Sequence, residues 1–233
     1  MLPDIELTPY YNLKLPISKK EVQFRPYCVG EELTFLTHIE SENKEDIIGS
    51  LINLVKNCVK EKDLFDDLTL IDFTYLLVNI RAKSKGEIIE IQKKCGKCES
   101  TEILAFDVIK SLKFENEKVT KQVFDLSDKI SLEMSVVPFS YIKDVINVED
   151  ENDLKLFTIA CSIKKIVIDG KIYNKLEPEE VIEKFLKKAT TPQIKTIVDK
   201  MNDMVSLKSV VECECKCGHK DSIEMENILS FLS

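Results

Sequence analysis

The chain of 233 residues has little of what many enzymes need, with only six glycines and two histidines. The glycines lie far apart in the sequence, so neither a P-loop nor a dinucleotide-binding fingerprint is present. With two histidines, the chain has few side chains of the type most often used in general acid–base catalysis. No Gly-x-Ser-x-Gly or His-Glu-x-x-His motif occurs. The carboxylate pairs Asp66-Asp67 and Glu179-Glu180 fit helix-end or solvated charges better than a catalytic dyad. We therefore expect no enzymatic activity.

Long apolar runs and a targeting signal are also missing. No apolar run is long enough to span a bilayer, and residues 1–6 contain neither a basic n-region nor an apolar h-region. We therefore expect no membrane insertion and a reducing compartment. The 41 acidic residues outnumber the 33 basic ones, which gives a net charge of -8 and argues against general nucleic-acid binding.

Cysteine, in contrast, is plentiful, and five of the eight cysteines lie in two short patches. The first patch is Cys95-Gly96-Lys97-Cys98, and the second runs from Cys213 to Cys217. Apolar residues alternate with polar ones around both patches, so each patch is predicted to form the tip of a hairpin. In a reducing compartment, clustered cysteines more often hold a metal than form disulfides. We predict that the two hairpins together bind one structural Zn2+ ion in a tetrahedral site.

The candidate ligands follow from the positions of the thiols in each patch. They are Cys95, Cys98, Cys215 and Cys217, with Cys213 or His219 as alternatives for the fourth position. A thioredoxin-like redox pair is the competing interpretation of Cys-x-x-Cys, but that motif begins a helix, whereas Gly96 favours a hairpin. The remaining cysteines are predicted to be small buried hydrophobic residues; they are Cys28, Cys58 and Cys161.

The apolar periodicity predicts an α+β fold with a mostly helical body, short hairpins and a zinc-ribbon-like pair of cysteine hairpins. Apolar residues at helical spacing predict one helix from Val29, a second over residues 47–59, and a third over residues 70–83 that Thr69 caps. Asp169-Gly170 predicts a type I′ hairpin, and Thr191 is predicted to cap a late helix.

A polar bridge, roughly residues 111–121, is predicted to separate two halves. Residues 1–110 would hold an N-terminal arm, a hairpin, three helices and the first cysteine knuckle. Residues 111–233 would hold a strand, helices, the Asp-Gly hairpin, the second cysteine knuckle and a short apolar segment near residues 228–232. We expect the halves to form one compact unit joined at the knuckles.

Several blocks of the sequence resemble the baseplate hub subunit family of T-even-type contractile-tailed bacteriophages. The blocks are Leu15-Pro16-Ile17, Val22 to Tyr27, Gly30-Glu31-Glu32, Ile80 to Glu87, Asp125 to Ile130 and the terminal cysteine hairpin. The terminal Cys-x-Cys-Gly departs from the Cys-x-x-Cys-Gly that is frequent in the family, which leaves the fourth ligand open. The resemblance implies a hub subunit or a hub assembly catalyst.

This resemblance sets the functional expectations. They are contacts with other baseplate hub proteins, no nucleic-acid partner, and a place in the host cytoplasm during assembly or in the virion tail baseplate. A zinc-ribbon nucleic-acid-binding regulator and a thiol redox protein are the alternatives. The regulator would need a basic, aromatic-bearing ribbon face, whereas lysines and glutamates interleave around both cysteine patches.

Overall fold

The computed structural model describes residues 7–40, 43–148 and 150–225. Within these ranges the strands are β1 (Tyr11–Lys14), β2 (Glu21–Phe24), β3 (Ile88–Lys94), β4 (Thr101–Asp107), β5 (Leu112–Glu115), β6 (Lys121–Ser127), β7 (Ile130–Ser135), β8 (Ile163–Ile168), β9 (Lys171–Tyr173), β10 (Ser206–Glu214) and β11 (Lys220–Met225). The helices are α1 (Val29–Glu40), α2 (Lys44–Cys58), α3 (Leu70–Lys85), α4 (Val108–Ser111), α5 (Ile142–Asn147), α6 (Glu151–Ser162), α7 (Pro178–Lys184) and α8 (Thr191–Asn202). Short 3-10 helices lie at Lys62–Asp66, Phe139–Tyr141 and Leu186–Lys188. The apolar segment predicted at residues 228–232 and the first six residues of the predicted arm lie outside the described ranges.

The predicted mostly helical body with short hairpins is wrong. Of the described residues about 44% are helical and 30% lie in strands, and the strands form four antiparallel sheets. Two sheets are the pairs β1–β2 and β3–β4, the third has the order β11-β10-β5, and the fourth has the order β6-β7-β8-β9. The two predicted cysteine hairpins are present as β3–β4 and β10–β11, and the second is part of a three-stranded sheet because β10 also pairs with β5. The fold is α+β with a large share of sheet.

The missed strands lie in and just after the predicted polar bridge. β5 falls inside it and pairs with β10, where Leu112 is opposite Ser209. A strand of four residues whose partner lies so far along the chain gives almost no local signal, because the pairing is decided by tertiary contact. In β6 the apolar residues Val123 and Phe124 are adjacent, so they point to opposite faces of the sheet. The sequence therefore lacks the regular alternation of apolar and polar residues that predicts a strand.

Elements with a local chemical signal form where the sequence predicts them. The β1–β2 hairpin is present, and the hydroxyl of Thr69 accepts a hydrogen bond of 3.1 Å from the backbone N–H of Asp72 at the start of α3. Asp169 and Gly170 have φ values of +46° and +78°, as a type I′ turn requires. The cap of α8 is Thr190 and not the predicted Thr191, since the helix begins one residue earlier than expected.

A first hydrophobic core forms around α2 and α3. Its fully buried side chains include Phe24 of β2, Leu51 and Val55 of α2, and Phe73 of α3. Phe139, from far along the chain, also packs in this core, with its ring centroid 4.6 Å from that of Phe73. The boundary predicted between residues 110 and 111 remains a prediction, and this contact shows that the later sequence contributes to the earlier core.

A second core lies between the four-stranded sheet and helices α6, α7 and α8. Leu132 and Met134 of β7 point into it, and Ile159, Val181 and Ile197 pack against them from the three helices. The apolar side chains that alternate along β7 face the helices, while Ser131, Glu133 and Ser135 lie on the other face.

A third, smaller core places the two cysteine hairpins. Val78 and Ala82 of α3 are buried against Ile89 of β3 and Val108 of α4, and Ile223 of β11 packs on this cluster. α3 therefore contributes to two cores and carries both hairpins at its C-terminal end. In the described ranges, no helix is both long enough and apolar enough to cross a bilayer.

Candidate metal centre

The tip of the first cysteine hairpin is a tight turn between β3 and β4. The backbone N–H of Cys95 donates to the carbonyl of Ser100 at 2.8 Å, and the N–H of Glu99 donates to the carbonyl of Cys95 at 3.0 Å. Glu99 has a φ of +59°, in the left-handed region that non-glycine residues adopt uncommonly. This turn brings the Cys95 and Cys98 thiols to the same end of the hairpin.

The tip of the second hairpin, between β10 and β11, is shorter. The N–H of Cys215 donates to the carbonyl of His219 at 2.9 Å, and the N–H of Gly218 donates to the carbonyl of Cys215 at 2.7 Å. Gly218 has a φ of +79°, which glycine adopts without the clash that a Cβ would cause. Both Cys215 and Cys217 lie in this turn.

The two tips meet, and their four thiols form one cluster. The Sγ atoms of Cys95 and Cys217 are 3.8 Å apart, and those of Cys98 and Cys215 are 3.5 Å apart. All four sulfur atoms lie within 4.8 Å of one another. A tetrahedron with Zn–S bonds of about 2.3 Å has edges of about 3.8 Å, so the observed spacing fits a zinc tetrathiolate.

The two alternative ligands lie beside this cluster. Cys213 is in β10, and its thiol donates to the carbonyl of Asp221 at 3.4 Å. His219 provides its backbone carbonyl to Cys215, and neither its ring nitrogens nor the Cys213 sulfur belong to the four-atom group found among the described residues. The geometry therefore favours Cys215 as the partner of Cys217.

Hydrogen bonds around the cluster involve residues that the sequence does not single out. The Ser100 hydroxyl lies 3.0 Å from the sulfur of Cys98 and 3.4 Å from that of Cys215, so it bridges thiols of both hairpins. The carboxylate of Glu102 accepts the backbone N–H of Lys216 at 3.2 Å. Neither residue belongs to a metal-ligand motif, which is why no sequence signal marks Ser100 and Glu102.

The thiols differ in how readily they ionise. Hydrogen bonds from Ser100, followed by those from the neighbouring thiols, lower the pKa of Cys98 to about 6. At Cys217 the backbone N–H of His219 favours the thiolate, but the thiols of the other three cysteines outweigh it and raise the pKa to about 12. Four clustered thiols resist ionising together because their negative charges repel, and a bound cation removes that repulsion.

A salt bridge joins the two hairpins independently of the thiols, and further ion pairs lie within each hairpin. Lys93 of β3 forms a salt bridge of 2.7 Å with Asp221 of β11, and its ammonium group also donates to the carbonyl of Ser222 at 3.2 Å. Nearer the tips, Lys94 pairs with Glu99 and Lys220 pairs with Glu214. Positive and negative charges thus alternate over the outer surface of the hairpins.

The other cysteines lie away from the cluster. Cys58 and Cys161 are buried, as predicted, and burial raises the pKa of each thiol to about 12. The prediction is wrong for Cys28, which is exposed. Its backbone N–H donates to the carboxylate of Glu31 at 2.9 Å just as α1 begins, and the neighbouring Val29 and Gly30 are exposed as well.

Comparison with known proteins gives one result. A family model described as T4 bacteriophage base plate protein matches residues 8–233. No curated protein and no solved structure matches the chain.

Proposed function

The chain belongs to the family of T4 bacteriophage base plate proteins, and from this premise we propose that it is a hub subunit or hub assembly factor of the tail baseplate. It acts through contacts with other baseplate proteins rather than by catalysis. The observation that carries the proposal is the match to the family model over residues 8–233. The sequence blocks that resemble hub subunits lie within the same range and support the narrower role.

A contact role suits the architecture. Two of the three cores share α3, and the hydrogen-bonded cap of that helix and the Lys93–Asp221 salt bridge between the hairpins hold neighbouring elements in fixed positions. Ordered elements lose little conformational freedom when a partner binds. The entropy cost of ordering the surface is therefore small, and binding is tighter than for a flexible surface. The chain would act in the host cytoplasm during assembly, or in the virion tail baseplate.

The four clustered cysteines are proposed to hold one structural Zn2+ ion. Cys95 and Cys98 would supply two ligands from the first hairpin, and Cys215 and Cys217 would supply two from the second. The sulfur spacing given above supports this assignment, and four protein ligands leave no open position for a substrate. Bound there, the ion would link the two-stranded sheet β3–β4 to the three-stranded sheet that contains β10 and β11.

The alternative functions find less support. A nucleic-acid-binding regulator would present a continuous basic face, whereas Lys94 and Lys220 each pair with a glutamate on the hairpin surface. A thioredoxin-like redox protein would place its cysteines at the start of a helix, whereas Cys95 and Cys98 lie in a strand-to-strand turn.

Affinity purification from infected host cells tests the baseplate role. A tagged copy of the chain should bring down other baseplate proteins from lysate, and tail intermediates should contain it at a fixed ratio to them. A tagged phage protein of unrelated function from the same cells provides the background. If neither lysate complexes nor purified tails contain the chain together with baseplate proteins, the proposal is wrong.

A further inference from the structure

Helix α1 exposes a row of large apolar side chains. Val29, Leu33, Leu36 and Ile39 follow one another at spacings of four, three and three residues, so they form one stripe along the helix. Their exposed fractions are 72%, 58%, 40% and 40%. We call these four residues the α1 stripe. In α2, by contrast, the buried side chains include Ile48, Leu51, Leu54 and Val55.

The α1 stripe is exposed because other groups attach the helix to the protein. Phe35 is the buried residue of α1 and points into the first core. Arg25 forms two parallel hydrogen bonds of 2.8 Å with Glu31, and Lys85 at the end of α3 forms a salt bridge of 2.8 Å with Glu32. These contacts fix the side of α1 that faces the protein. The spacing of the α1 stripe predicts a helix that buries these residues in the core, but in the structure they face outward.

The helix is also preorganised for a partner. The hydroxyls of Thr34 and Thr37 donate to the carbonyls of Gly30 and Leu33, one turn earlier in the same helix. These polar groups are satisfied within the helix and need no new partner when a surface covers it. A contiguous apolar row on a fixed helix is typical of a protein interaction site.

The charges of α1 indicate which kind of partner fits. The helix contains three glutamates and neither lysine nor arginine. Glu40 lies on the same side as the α1 stripe, at the C-terminal end of the helix, where the backbone carbonyls add partial negative charge. Glu31 and Glu32 are neutralised by Arg25 and Lys85, so Glu40 supplies the negative charge beside the stripe. A second copy of this chain would bring a second Glu40 to the contact, and each chain carries a net charge of -8. Like charges therefore disfavour self-association through this face.

We propose that the α1 stripe binds an amphipathic helix of another baseplate protein, with an apolar seam that packs on Val29, Leu33 and Leu36 and a lysine or arginine that meets Glu40. This inference rests on the proposed function, because it assigns a surface and a partner chemistry to the contact role. Apolar packing provides the affinity, and the basic residue sets the direction of the bound helix.

The test uses the full chain and a model helix as the probe. The probe is a fluorescent peptide of about 18 residues, long enough to form a helix on binding, with leucines at positions i, i+3, i+4 and i+7 and lysines elsewhere. A matched peptide carries the same leucines with glutamates in place of the lysines. Fluorescence anisotropy measured at two salt concentrations should show binding of the leucine–lysine peptide, weaker binding at higher salt, and little binding of the matched peptide.

Two variants and a control locate the binding surface. Leu33→Ser combined with Leu36→Ser should weaken peptide binding about tenfold or more, because the apolar seam loses its central contacts. Glu40→Lys should weaken it severalfold and reduce its salt dependence. Ile172→Ser removes an exposed apolar residue of β9 and should leave binding unchanged. Since all these side chains are at least partly exposed, melting temperatures should stay close to that of the unchanged chain.

The outcomes separate this inference from the proposed function. Equal binding by the double serine variant, or equal binding of the two peptides, would overturn the assignment of the α1 stripe. If the double serine variant still assembles normally with baseplate proteins in infected cells, the stripe is not the contact surface although the baseplate role stands. If the unchanged chain binds no baseplate protein at all, the proposed function fails, whatever the peptide result.

Discussion

The carboxylate of Asp72, in the first turn of α3, accepts a hydrogen bond of 2.8 Å from the backbone N–H of Ile17, 55 residues earlier in the chain. Its second oxygen accepts the N–H of Ser18 at 3.0 Å. Asp72 is fully buried, and its own backbone N–H donates to the Thr69 cap. From the sequence alone, Asp72 is recognised only as part of the start of α3. In the structure its side chain also fixes the turn between β1 and β2.

Replacing Asp72 should destabilise the first core. Asp72→Ala leaves two backbone N–H groups without their acceptor, and we expect it to lower the free energy of unfolding by about 2 to 4 kcal/mol. Asp72→Asn keeps one acceptor oxygen and should lose less. Asp67→Ala removes an exposed carboxylate that pairs with Lys20 and should cost under about 0.5 kcal/mol. Urea denaturation of the three variants measures this order, and equal losses for Asp72→Ala and Asp67→Ala would contradict it.

The Arg25–Glu31 pair should make stability depend on pH. The hydrogen bonds from Arg25 lower the pKa of Glu31 from 4.5 to about 2. Because the folded pKa lies below the unfolded value, the stabilisation by Glu31 is complete above about pH 4.5 and is lost as the pH falls toward 2.

Glu31→Gln should therefore lower the free energy of unfolding by about 1 to 3 kcal/mol at neutral pH, since it removes a charge-assisted bidentate contact. The difference from the unchanged chain should shrink below pH 4.5. Glu87→Gln, which alters the more exposed pair with Lys83, serves as the control and should have little effect. Urea titrations at several pH values measure the difference, and a loss that does not vary between pH 7 and pH 3 would count against this mechanism.

Metal removal should destabilise the end of the molecule that carries the hairpins. Purified protein should contain about one zinc ion per chain, measured by plasma mass spectrometry. Cys95→Ser should lose that metal and melt at a lower temperature, and chelation of the unchanged chain should lower the melting temperature in the same way.

Cys28→Ser is the matched control for the metal site, because Cys28 is an exposed thiol outside the cluster. It should retain both zinc and stability. A melting curve that chelation leaves unchanged, or a protein that contains no zinc when purified without chelator, would show that the site is not a structural zinc centre.

Ser100 should strengthen metal binding without being a ligand. Its hydroxyl reaches the sulfur atoms of Cys98 and Cys215, and residues that hydrogen-bond to ligands orient them. Ser100→Ala should weaken zinc affinity about tenfold in a chelator competition. The carbonyl that accepts the Cys95 N–H is backbone and remains in place. Ser222→Ala, on exposed β11, is the comparison, and equal affinities for the two variants would argue against a role for the Ser100 hydroxyl.

Long-range pairing explains which elements sequence reasoning misses. β5 forms only because Leu112 to Glu115 meet β10, and β6 is held in the sheet by its pairing with β7. The same limit applies to α1, whose apolar spacing predicts a helix correctly but not the side that faces solvent. Which side is buried depends on Phe35, Arg25–Glu31 and Glu32–Lys85, and these contacts join the helix to groups outside it.

By itself the sequence determined the features that depend on neighbouring residues. The two cysteine turns, the Asp169-Gly170 hairpin and the Thr69 cap follow from backbone preferences and hydrogen bonds within a few residues, so they can be identified without a structure. Only the tertiary structure decided that Cys215 and not Cys213 joins the other three thiols, that Ser100 bridges two of them, and that the α1 stripe faces solvent. These outcomes require residues far apart in the chain to meet, and the free energy of each contact depends on how the whole chain packs.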